Sequence, residues 1–293
     1  MALKVFRFDA SGCNGCDIEI LSAILNPEYA IMGVEIADSP EDAGAMIVTG
    51  GCNEKTAALL KDAYVKLQDP KLVIAMGACA SSMCVFKDGY QMRGPVDAVV
   101  PVHHFVLGCP PRPQSLAMAI HALLGDPEPH TAHVWAPPEG LRARMSLDTQ
   151  RCTACGACAA MCPSHAIDII PEEGRFRMIY NLWKCSFCGT CEHVCPEQAV
   201  RMTTDYSLGG GDKLTQTVTG DMPRSRCATC GAPHITPVQA KAITGRIFEH
   251  APGFVAVEHA IQRSLGECHS CKTAPGTHFK LRKDVQKWAY GPL

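Results

Sequence analysis

Cysteine dominates the chemistry open to this chain: 18 of its 293 residues are Cys, gathered in short runs. Two runs repeat at a shift of 33 residues: Cys152-Thr-Ala-Cys155-Gly-Ala-Cys158-Ala-Ala-Met-Cys162-Pro163 and Cys185-Ser-Phe-Cys188-Gly-Thr-Cys191-Glu-His-Val-Cys195-Pro196. Gaps of two residues let a tightly turning backbone aim successive thiolates at one polynuclear centre. This spacing holds pairs of [4Fe–4S] clusters, with the fourth cysteine of each run serving the other cluster. One set is therefore Cys152, Cys155, Cys158 and Cys195, and the other is Cys162, Cys185, Cys188 and Cys191. Two zinc sites would also use thiolates, but tandem runs with the same internal gaps fit the iron–sulfur pattern better. His165 and His193 stand beside these ligands and could tune a cluster; partly exposed polar residues are the simpler reading.

Two more groups stand outside the repeat. Cys227-Ala-Thr-Cys230 and Cys268-His-Ser-Cys271 are knuckles separated by 37 residues. Each can give two ligands to a tetrahedral four-thiolate site, with zinc favoured over iron because the ferredoxin spacing is missing. His234, His259 and His269 read as ordinary side chains. At the front are Ser11-Gly-Cys13-Asn-Gly-Cys16-Asp-Ile-Glu19, then Gly77-Ala-Cys79-Ala80, then Gly108-Cys109-Pro-Pro-Arg112-Pro113. A lone CxxC is ambiguous, but these four cysteines come from three loops that could meet. Cys52 and Cys84 are left over and read as small buried hydrophobes.

The elements that must position these groups follow from apolar patterning. Lys4–Phe8, Ala45–Thr49 and Leu72–Met76 read as short strands, the last two closing on glycine. Thr56–Leu67 and Leu116–Leu124 show helical spacing, and Val238–Glu249 predicts a helix between the tail knuckles. Alternating strands and helices imply an open parallel sheet, whose ligands sit beyond the carboxyl ends of the strands. Cys79 falls in such a loop. Proline-rich 127–142 and Gly-rich 207–222 read as linkers. The expected domains are thus 1–126, 143–206 and 223–293.

The formal charge of −2 lacks the basic excess of a nucleic-acid binder. Charges near the start break any signal core, and no run approaches the roughly 20 apolar residues of a membrane span. A reducing cytoplasm with metal-bound thiolates fits better than a disulfide scaffold.

The three front motifs, in this order, resemble the small subunit of energy-converting, group 4 [NiFe] hydrogenases, with the related subunit of respiratory complex I similar over about residues 1–125. The resemblance implies a flavodoxin-like, doubly wound domain whose [4Fe–4S] cluster takes Cys13, Cys16, Cys79 and Cys109. CxxC at the front, in place of adjacent cysteines, resembles the hydrogenase branch. The middle resembles the two-[4Fe–4S] ferredoxin-like subunit of formate hydrogenlyase-type complexes, here fused in one chain. Multidomain α/β and α+β architecture follows: flavodoxin-like doubly wound parallel sheet, bacterial-type ferredoxin fold, small metal-binding tail with four cysteines. The implied cofactors are three [4Fe–4S] clusters and a Zn2+. The implied partners are the NiFe large subunit, a further iron–sulfur, formate dehydrogenase or ferredoxin donor, and membrane subunits that would hold the chain at the inner face. Glu19 would relay protons to the large subunit, or would simply favour a helix start. A complex I-like oxidoreductase without NiFe, reducing quinone or sulfur, and a free polyferredoxin are the alternatives.

Overall fold

The structure is a computed structural model describing residues 3–25, 33–125, 139–205, 213 and 217–274. In chain order its first part forms β1 (Leu3–Asp9), α1 (Gly15–Leu25), β2 (Val34–Ala37), β3 (Ala45–Thr49), β4 (Cys52–Asn53), α2 (Glu54–Lys66), β5 (Leu72–Met76), α3 (Ala78–Ser82), β6 (Met92–Gly94), β7 (His104–Val106) and α4 (Pro113–Leu124). Every residue of β3 is buried, and all of β5 but its first. Strands covered on both faces need such continuous apolar runs.

Five strands pair in parallel in the order β2-β1-β3-β5-β7. This is the doubly wound order of a flavodoxin-like sheet, in which the direction of winding switches between β1 and β3. Val5 pairs with Ala45, Ala45 with Leu72 and Ile74 with His104. Strands β4 and β6 form a small antiparallel pair apart from this sheet. Strands β1, β3 and β5 match the expected ones; β2 and β7 are too short to announce themselves.

Helices cover both faces. Ile20 and Ala23 of α1 and Leu116, Ala119 and Ile120 of α4 pack on Val5, Ile47, Ile74 and Val106. Leu60 and Ala63 of α2 join the opposite core with Met46, Val48 and Ala75. The start of α2 is fixed locally: Asn53 accepts from the backbone N–H groups of Lys55 and Thr56, and the Thr56 hydroxyl accepts from Asn53 N. Such a reciprocal cap satisfies donors that the helix itself leaves open.

The second core runs unbroken into the cysteine-rich middle, where Met178, Tyr180, Leu182 and Ala199 belong to it. That part contains β8 (Met145–Leu147), α5 (Ala157–Ala160), β9 (Ile167–Glu172), β10 (Arg175–Asn181), α6 (Thr190–His193), β11 (Val200–Met202) and β12 (Thr217–Pro223). Strands β8 and β11 pair antiparallel, while β10 lies between β9 and β12. The expected linker 207–222 therefore needs correction: its last residues form β12, which extends the β9–β10 hairpin sheet. Residues 207–212 and 126–138 lie outside the described residues. The tail adds α7 (Pro237–His250), α8 (Glu258–Leu265) and α9 (His269–Thr273) around a minor core of Val257, Ala260 and Ile261.

Candidate iron–sulfur and metal sites

At the front, Cys13 follows β1, Cys79 lies in α3 beyond β5, and Cys109 follows β7. All leave carboxyl ends of sheet strands, and Cys16 sits in the first turn of α1. The loop after β1 is fixed by Asp9, whose Oδ1 accepts from Ser11 N at 2.9 Å and Gly12 N at 2.6 Å. Ser11 Oγ then donates to Gly51 O at 2.6 Å. Ala78 N donates to Gly108 O at 2.7 Å and joins the other two loops. Gly77 is required where these loops converge: its φ is +99°, and a Cβ there would lie 2.6 Å from Cys16 Sγ.

Burial, then the nearby Cys109 and Cys13, push the Cys16 thiol up to about 12. Cys109, though exposed at the surface, is raised to about 11 by partial desolvation within its loop and by Cys84, Cys13 and two cysteines of the second repeat. Crowded thiols resist ionisation because neighbouring thiolates repel and burial penalises charge. A cationic centre reverses that balance, since a coordinating thiol is deprotonated outright. This donor set therefore fits a metal cluster. Two supports of the site were not foreseen from the sequence. Cys84 is buried, as expected, and lies close enough to Cys79 for the two thiols to influence each other. Asp17 is buried and accepts from Arg7 Nη1 at 2.9 Å and Thr49 Oγ1 at 3.1 Å, locking α1 over the sheet. Its place beside the CxxC in a first helical turn was the available signal. Glu19 meets Arg112 Nη1 at 3.4 Å, while burial raises its carboxyl above the usual range against that cation's opposing pull.

In the middle, the 33-residue repeat is written into the backbone. Ala154 and Phe187, Gly156 and Gly189, and His165 and Gln198 adopt matching left-handed conformations. Each pair is aligned by the repeat. Ala166 N donates to Cys162 Sγ and Ala199 N to Cys195 Sγ, both at 3.2 Å. One tight cleft is lined by Cys152, Cys155, Cys158 and Cys195. Its twin is lined by Cys162, Cys185, Cys188 and Cys191. The fold thus brings the fourth cysteine of each run to the other run's cleft. His165 and His193 are exposed, and His165 occupies a turn that Gln198 fills in the second repeat.

The second cleft contains a direct test of fit. Tyr180 OH is buried beside Cys185, yet among the described residues no acceptor meets it in hydrogen-bond geometry. An orphaned buried hydroxyl is costly, and a cluster sulfur or its thiolate ligand would supply the acceptor it lacks. Burial pushes Cys185 up to about 11, with Tyr180 pulling the other way. The front and middle groups also adjoin: Cys185 and Cys188 act on Cys109, and α3 packs on Leu182–Lys184. The two middle sets adjoin in turn through Cys191 and Cys158.

In the tail, the four sulfurs of Cys227, Cys230, Cys268 and Cys271 lie within 4.8 Å of one another. Cys230 Sγ is 3.6 Å from Cys268 Sγ, and Cys268 N donates to Cys227 Sγ at 3.2 Å. Tetrahedral Zn–S bonds near 2.3 Å place sulfurs about 3.8 Å apart, so the spacing suits one ion. His234, His259 and His269 are outside this group. The tail is fastened beside the first cleft: Thr236 Oγ1 donates to Thr153 O at 3.5 Å, and Arg246 pairs with Glu197.

Residues 13–123 match the family described as NADH ubiquinone oxidoreductase, 20 Kd subunit, and residues 151–199 match the 4Fe-4S dicluster domain. A probable membrane-bound hydrogenase subunit of Pyrococcus furiosus, mbhJ, is 41% identical over 114 residues, 38% of this chain and 68% of the relative. An uncharacterized protein of Methanocaldococcus jannaschii is 44% identical over 121 residues, 41% of this chain and 80% of its own. Formate hydrogenlyase subunit 7 of Escherichia coli is 36% identical over 123 residues, 41% of this chain but only 48% of the relative. Through residues 13–123 the chain belongs to the 20 Kd subunit family of NADH ubiquinone oxidoreductase, with a 4Fe-4S dicluster domain fused behind it.

Proposed function

We propose that this chain is the iron–sulfur electron-transfer subunit of a multisubunit, energy-converting [NiFe] hydrogenase of the formate hydrogenlyase type. The observation that carries the reading is the adjacency of three cysteine sets in one body. α3, which carries Cys79 of the front set, packs on Leu182–Lys184 just before Cys185, and α5, which carries Cys158 of the third set, packs on α6, which carries Cys191 of the second. The hydrogenase relatives support the assignment to this branch.

Cys13, Cys16, Cys79 and Cys109 would hold the front [4Fe–4S] cluster. Cys162, Cys185, Cys188 and Cys191 would hold the second, and Cys152, Cys155, Cys158 and Cys195 the third. When bound, such clusters supply one-electron storage at potentials set by burial and hydrogen bonds. Their ligand loops do the rest: Gly77 admits Cys16, the Tyr180 hydroxyl stands beside Cys185, and backbone N–H groups donate to Cys162 and Cys195. Cys227, Cys230, Cys268 and Cys271 would hold a structural zinc.

The NiFe large subunit would dock at the front. Cys13 and Cys109 are exposed there, and Ile18 of α1 is 66% exposed. A further iron–sulfur or ferredoxin-type donor would meet the third set. Among the described residues no helix is long and apolar enough to cross a membrane; membrane subunits would give the complex its peripheral attachment at the cytoplasmic face. Anaerobic co-purification from the source cells tests this reading. The expected large subunit carries a cysteine pair near each end and reduces this chain's clusters with hydrogen. A large subunit without those pairs would contradict it.

A further inference from the structure

Lys213 lies where the front domain meets the middle one. Its side chain is only 13% exposed, and Nζ donates to Ser81 O at 3.1 Å and to Asp97 Oδ2 at 2.5 Å. The same ammonium stands 5.1 Å from the ring centroids of both Phe105 and Trp183. Phe105 is in β7, Ser81 lies two residues past Cys79, and Trp183 lies two residues before Cys185. One side chain therefore touches the α3 turn of the front set and the segment entering the second set. A lysine so far from water loses hydration that must be returned by bonds of this kind; two aromatic faces, a carbonyl and a carboxylate return it.

We infer that Lys213 is a positioning residue that locks the front and second cysteine sets together and biases both towards their reduced states. The inference rests on the reading of those sets as cluster sites. A reduced cluster carries one more negative charge than its oxidised form, so a fixed cation nearby favours reduction. Asp97 offsets part of that field. The third set, which adjoins the second where α5 packs on α6, is the internal control. Replacing the ammonium with a neutral chain of similar length removes the field. Replacing it with guanidinium keeps the charge.

The test is redox potentiometry followed by EPR on the full chain purified anaerobically with its iron and sulfide. Lys213→Met lowers the midpoint potentials of the front and second clusters and leaves the third in place; spin coupling between the first two weakens. Lys213→Arg keeps the wild-type potentials. Should Lys213→Met not accumulate as folded protein, Asp97→Asn provides the opposite reading, raising the same two potentials by freeing the cation's field. Potentials unchanged in the folded variants, or moved equally at all three clusters, would overturn the role of Lys213. Loss of the front or second signal already in the wild-type chain would overturn the cluster reading itself, and Lys213 with it.

Discussion

Arg112 Nη1 reaches Glu19 Oε1 at 3.4 Å and ties the helix begun at Gly15 to the loop that carries Cys109. A carboxylate near a helix start is electrostatically favoured in any protein; this one is also partly buried against a cation. Burial raises the Glu19 carboxyl and Arg112 opposes the rise. Removing the cation leaves the burial cost unopposed, so Arg112→Met moves Glu19 further up. Infrared titration of the carboxyl band, with Glu19→Gln to assign it, reads that shift; a downward or absent shift contradicts the pairing. The sign for stability follows. An acid whose folded pKa is raised binds its proton more tightly when folded, so its contribution declines as pH climbs through that range.

Gly77→Ala tests the front site by geometry. The residue has φ +99°, and the added Cβ would meet Cys16 Sγ at 2.6 Å. Strain of this kind costs about 1–3 kcal/mol. Iron content falls by about four atoms per chain, one cluster's worth, while the ferredoxin-type EPR signals persist. Full iron retention would show that Cys16 does not need that approach.

Tyr180→Phe removes the hydroxyl beside Cys185. Hydrogen bonds to cluster sulfurs raise the potential, so the second cluster's midpoint falls while the third keeps its value. A change at both clusters alike would point to altered packing instead.

Much of this was legible in the cysteine spacing because ligand loops are local: Cys152–Cys162 and Cys185–Cys195 each carry their turn in their own sequence, down to the matched left-handed residues 156 and 189. Strands β3 and β5 showed because both faces of each are buried. What stayed hidden depends on distant partners. Strand β12 has no strong apolar alternation of its own and exists by pairing with β10. Asp17 gains its role from Arg7 and Thr49, 10 and 32 residues away. Cys84 reads as filler until the turn at Met83, with φ +68°, brings it back to Cys79.

The tail predicts its own metal. Its sulfurs, within 4.8 Å of one another, give X-ray absorption at the zinc edge a single shell of sulfur near 2.3 Å. Cys268→Ala removes that zinc and leaves the iron count alone. Iron in place of zinc at this site, with the same shell, would correct the metal but not the ligands.

The most direct test of three adjoining cluster sites is metal analysis with EPR of the reduced full chain. Four irons per cluster give about twelve irons in three interacting [4Fe–4S] signals, with about one zinc. About eight irons, with only the two ferredoxin-type signals, would contradict the front site formed by Cys13, Cys16, Cys79 and Cys109.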